Sequence, residues 1–207
     1  MRLVQHKRAD GRPYWRPWGH AGGRLLSIVI CMACVLWTSP VTAQQRPVLR
    51  DNNLIEAARV GNLQLLDAAY AAGASVRQLG RNGQSALHVA SQWGQAGAVA
   101  ALIGMDAPLN RRARDGHTAL SYAISFRHKD IVALLLKAGA DANRTGPNYE
   151  MPLIMAARLG LGDIAAQLLA AGAVLDETDM TGRTALDWAR LGNHRAIVAQ
   201  LREAGAR

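Results

Sequence analysis

Residues 82–94 read NGQSALHVASQWG, and the phrase returns, blurred, as DGHTALSYAISFR at 115–127, NYEMPLIMAARLG at 148–160 and TGRTALDWARLGN at 181–193. Each start lies 33 residues after the one before. A fixed period of that length marks one supersecondary unit copied along the chain. Such a unit cannot bury its own apolar face and must stack on a copy of itself. The expected architecture is a solenoid. The expected activity is binding, because a solenoid offers a long shaped surface more readily than an enclosed catalytic pocket.

Each unit opens on a polar turn: Asn82-Gly83, Asp115-Gly116, Asn148-Tyr149, Thr181-Gly182. Apolar residues at helical spacing follow, as in Ala119, Leu120, Tyr122 and Ala123. A break at Gly94 or Gly160 precedes a second helix such as DIVALLLKAG, residues 130–139. Gly73, Gly139, Gly172 and Gly205 stand where second helices end and a left-handed residue closes the last turn. Ser85, Thr118 and Thr184 stand at helix entries, where a hydroxyl caps free amides. Ala90, Ala123, Ala156 and Ala189 recur where adjacent helices approach most closely. A worn copy at 54–77 keeps the register, giving five units at about 51–81, 82–114, 115–147, 148–180 and 181–207.

The run DGHTALSYAISFRHKDIVALLLKAGADANRTGP at 115–147 resembles an ankyrin repeat nearly throughout. The turn, the T-A-L-x-x-A helix and the I-V-x-L-L-L-x-x-G-A-D-x-N tail carry the likeness, which extends over residues 51–207. It implies an all-α solenoid of five helix–loop–helix repeats with β-turn tips, first helices lining a concave face and turns projecting beyond it. Departures fall at defined places. Tyr149 and Met151 replace a turn glycine and a capping hydroxyl, so the fourth turn is expected to be irregular. Asp106 and Arg127 occupy glycine positions.

The N-terminus reads differently. Arg2, Lys7, Arg8, Arg12, Arg16 and Arg24 stand against Asp10 alone, then comes the apolar run LLSIVICMACVLW at 25–37 and the small-residue site TSPVTA. That order describes a signal peptide over 1–43, cleaved between Ala43 and Gln44, with 44–50 as a short linker. The apolar run is shorter than the roughly 20 residues a bilayer needs; were it retained, the chain would be anchored in an inner membrane. Of the formal +9 charge, +5 sits in this segment, leaving +4 on the rest. Cys31 and Cys34 also lie within it, so the repeats contain no cysteine and no thiol nucleophile.

Catalytic patterns are absent from the repeats: no HxxxH or CxxC ligand spacing, no glycine-rich phosphate loop, no G-x-S-x-G. No enzymatic activity, cofactor or metal is expected. The modest residual charge, without stacking aromatics along a basic groove, argues against nucleic acid. His88 falls where the family's histidine bonds between neighbouring turns, a structural role.

The partner-binding candidates form two sets. Val60, Trp93, Phe126 and Leu159 share the position before the mid-unit break and make an apolar stripe, flanked by Arg59, Gln92 and Arg158. In the ankyrin family that position lies at the concave end of the first helix; the alternative is that these side chains fold back as core. The turn tips supply Arg81, Arg112, Arg114, His117 and Tyr149. Early tips are basic and the last, with Glu177 and Asp179, is acidic, a gradient suited to orienting a partner. The expected protein is an exported, periplasmic or secreted monomer that binds another protein. A regulatory or immunity-type partner of a periplasmic enzyme or toxin, and a membrane-anchored scaffold, are the alternatives.

Overall fold

A computed structural model of the chain describes residues 6–7, 13–14 and 46–206. The expected apolar core of the signal peptide and its cleavage position at Ala43 and Gln44 lie outside the described residues. Two units separate along the chain, 1–42 and 43–207. In the first, His6–Lys7 pairs antiparallel with Pro13–Tyr14. No helix among the described residues is long and apolar enough to cross a membrane.

The second unit is helical. First helices are α1 (Arg46–Val60), α3 (Ala86–Gln92), α5 (Ala119–Ser125), α7 (Pro152–Arg158) and α9 (Ala185–Leu191). Second helices are α2 (Leu63–Ala71), α4 (Ala96–Gly104), α6 (Lys129–Lys137), α8 (Gly162–Ala170) and α10 (Arg195–Glu203). From α3 onward both series start anew every 33 residues. Helix α1 runs back to Arg46, through the stretch read as a linker at 44–50; Pro47 does not prevent this, because proline is tolerated in a first turn, whose amide lacks an intrahelical partner anyway.

A helix of seven residues, about 10 Å long, has little stability alone. Stacking supplies it. Each first helix packs on the next first helix, and each second helix on the next second helix. Two leucine ladders result: Leu87, Leu120, Leu153 and Leu186 on the first helices, and Leu102, Leu135, Leu168 and Leu201 on the second, all essentially without solvent exposure. Each such leucine contributes roughly 2 kcal/mol by leaving water. Ala90, Ala123, Ala156 and Ala189 are fully buried where facing helices touch, as their spacing suggested.

Short helices also depend on their caps. Ser85, Thr118 and Thr184 each close a reciprocal capping box with the residue three positions on. Met151 makes no side-chain cap, and Pro152 takes the first helical position instead. The turn before it is irregular, as Tyr149 and Met151 led one to expect. Three turns close with a glycine amide donating three residues back: Gly83 to Gly80, Gly116 to Ala113 and Gly182 to Asp179, at 2.9–3.0 Å. In the fourth unit a 3₁₀ turn (Pro147–Tyr149) intervenes, Asn148 and Tyr149 both take positive φ (54° and 59°), and the closing bond shifts to Glu150 N–H and Pro147 O at 3.1 Å.

Candidate docking face

The stripe occupies the C-terminal ends of the first helices. Val60 closes α1, and Trp93, Phe126 and Leu159 cap α3, α5 and α7. Three of the four stand out: Val60 is 49% exposed, Trp93 54% and Phe126 49%. Leu159 does not; it is half-buried and packs against the core. The exposed run therefore ends at the third unit.

The two aromatic anchors are held rather than loose. Arg59 lies over the Trp93 indole, its guanidinium carbon 5.4 Å from the ring centroid, while pairing with Glu56. Phe126 lies nearly parallel to the His128 ring, with centroids 6.4 Å apart. His128 Nε2 in turn meets the Gln92 carbonyl at 3.1 Å, tying α6 to the helix that ends in Trp93. Gln95 makes the same tie one unit earlier, donating to Arg59 O at 3.2 Å. Rigid aromatics lose little freedom on binding, which suits them to anchor a partner.

The turn tips divide into side chains that hold the fold and side chains that reach outward. Arg112 holds the fold: it donates to Gly116 O at 3.1 Å, Gly146 O at 2.7 Å and Thr145 Oγ1 at 3.5 Å, joining the third turn to the fourth. It also lies 5.5 Å from the ring of Tyr149, which is 69% exposed. His117 is half-buried, stacked on Tyr122 at 4.4 Å and bonded to Ser121 Oγ at 3.1 Å; burial lowers its pKa. Arg158 makes a two-pronged pair with Glu150 (2.8 and 3.0 Å), which raises its pKa and neutralises its charge. Arg81 and Arg114 are exposed and make no hydrogen bond among the described residues.

Between the stripe and the tips lies a cleft of about 600 Å³, lined by Ile55, Arg59, Gln84, Val89, Gln92, Trp93, Arg114 and Asp115. Beneath it runs a polar chain that sequence reasoning did not find. Tyr122, 3% exposed, donates its hydroxyl to Asp115 Oδ2 at 2.5 Å. Gln84 Nε2 donates to the Tyr122 oxygen at 2.6 Å and to Gln92 Oε1 at 3.0 Å. Burial raises the Asp115 pKa, but the Tyr122 hydroxyl and the His117 amide outweigh it and hold the carboxyl below its usual range. Burial first, then Asp115, pushes the Tyr122 phenol up. Gln84 and Tyr122 lie 38 residues apart and share no motif; only stacking of two units brings them together.

His88 is structural, as its position implied. Its Nδ1 accepts from Ser85 N–H at 3.1 Å, which leaves Nε2–H to donate to Arg111 O at 2.9 Å in the next turn. Burial lowers its pKa and keeps it neutral. Among the described residues no three His, Cys, Asp or Glu side chains gather to hold a metal.

A family model described as ankyrin repeats, in three copies, matches residues 54–146. Among curated proteins, none matches the chain. That segment, similar to ankyrin repeats, contains the whole exposed stripe and the cleft.

Proposed function

For this chain we propose an exported, periplasmic protein-binding module that docks its partner on Trp93, Phe126 and the adjoining turn tips. Ankyrin repeats generally mediate protein–protein contact, and the fold family supports a protein partner on that ground. The observation that carries the reading is the pair of half-exposed aromatics one repeat apart, each braced by a neighbour. Burying two such rings drives association, since a few central aromatics dominate most interfaces. Helices α7 to α10 keep the 33-residue register beyond the matched segment, which supports five repeats in all. Export rests on the basic–apolar–small order of residues 1–43 alone.

Two experiments test this. Trp93→Ala with Phe126→Ala, each at an exposed site, is expected to leave the thermal melt nearly unchanged and to weaken capture of native partners from a periplasmic extract by about a hundredfold. Undiminished capture would overturn the docking face. Mass spectrometry of the exported protein is expected to find Gln44 at its N-terminus; an intact residue 1 would overturn cleavage.

A further inference from the structure

The two tips that line the cleft and the next one along carry one sign of charge. Across residues 77–84, 110–117 and 143–149, six arginines stand against one acid, Asp115. The last turn, 176–183, reverses this with three acids and Arg183. Asp115 lines the cleft as well, and its carboxylate is engaged: Oδ2 accepts from Tyr122 and Oδ1 from the His117 amide at 3.2 Å.

That carboxylate sets the direction of the Tyr122–Gln84–Gln92 chain behind the cleft wall. Carboxylate oxygens only accept, so the Tyr122 hydroxyl must donate to Asp115. The phenol oxygen is then an acceptor, and Gln84 fills it with one amide hydrogen. Its second hydrogen goes to Gln92 Oε1. Gln92 Oε1 keeps one further lone pair, and its Nε2 is a donor with both hydrogens to give. The lining thus offers a donor amide at Gln92, the guanidinium groups of Arg59 and Arg114 and the apolar face of Trp93, beside the Asp115 carboxylate that Tyr122 and the His117 amide already engage. Arg59 is shared with Glu56, whereas Arg114 is free among the described residues.

Donors beside an indole, under a rim whose arginines outnumber the single Asp115 carboxylate, are complementary to an acidic ligand. We propose that this cleft recognises an acidic, extended segment of the partner protein, with an Asp or Glu carboxylate on Gln92 and Arg114 and a neighbouring apolar side chain on Trp93. The proposal rests on the protein-binding reading above and adds the chemistry of the partner. Opposite potentials steer encounter and fix register, and a desolvated carboxylate on a guanidinium binds through strong charge-assisted bonds.

The test is to pan a phage-displayed library of random peptides on the full chain and measure a synthetic consensus peptide by fluorescence anisotropy. The expected consensus places Asp or Glu beside an aromatic or aliphatic residue. Arg114→Glu is expected to weaken that peptide about tenfold or more, with a smaller loss from Arg81→Glu on the neighbouring tip and a marked loss at high salt. Arg114→Gln gives the same direction with less perturbation, should the charge reversal lower the melting temperature. Selected peptides without acidic residues, or acidic peptides indifferent to Arg114, would overturn the proposal. Apolar peptides lost in the Trp93/Phe126 double variant would sink the acidic partner yet keep the docking face; peptides indifferent to all three residues would sink both. A labelled oligothymidine that binds more tightly than the peptide through Arg114 would replace the proposal with nucleic-acid binding.

Discussion

At the scale of single residues, the mid-unit glycines show how local backbone and neighbour contact combine. Gly94 takes φ +75°, and a Cβ there would meet the His128 ring at 2.8 Å. Gly160 is in the same position against His194. In the third unit Arg127 takes φ +63° with a full side chain, and the position in the next unit equivalent by register to His128 and His194 is Leu161 rather than a histidine. Gly94→Ala is expected to cost about 1–3 kcal/mol, from the left-handed strain and the pushed ring. Arg127→Gly removes that strain but loosens the unfolded chain, so its expected effect is within about 1 kcal/mol of zero. Equal losses at both sites in denaturant unfolding would contradict the assignment. His88 makes a second case. Its folded pKa lies below the ordinary 6.5, as does that of His117, so the unfolded chain binds more protons as pH falls through 6.5. Stability is therefore full above that pH and declines below it. The carboxyls held low, with Asp179 at about 2 and Asp115 and Asp187 also depressed, lose their contribution only in stronger acid. Melting temperature should thus fall between about pH 7.5 and 5, and fall less in His88→Asn; a flat profile in the parent chain would contradict this.

At the scale of elements, most of the framework was legible and the fourth turn shows how. Serine or threonine before a short helix announced each capping box, and the replacements at Tyr149 and Met151 announced where the regular turn would fail. What could not be read was the repair. Arg112 sits 34 residues before Gly146, and nothing in a basic tip sequence distinguishes a guanidinium that faces water from one that spans two turns. The same holds for Leu159, whose position matches Trp93 and Phe126 but whose side chain lies on the core. Repeat register fixes where a side chain starts; only the neighbouring unit decides where it ends. The Arg112 bridge carries a prediction. Arg112→Ala leaves three acceptors unmet and should lower stability by roughly 1–2 kcal/mol. Amide exchange should quicken most in residues 144–151, and acceleration spread evenly along the repeats would contradict a local brace.

At the scale of the whole repeat unit, stability is a sum over neighbours, and the leucine ladders and buried alanines recur because each junction meets the same requirement. The stripe differs. Val60, Trp93 and Phe126 recur at the same period while remaining half exposed, so stacking does not require them. The direct test of that distinction is photocrosslinking in cells. A photoreactive phenylalanine placed at 93, at 126, or at the exposed second-helix position Ala133 reports what each site touches. Adducts to one protein from 93 and 126, with none from 133, are the predicted result. Adducts from 133 alone, or equally from all three, would contradict a partner docked on the aromatic stripe.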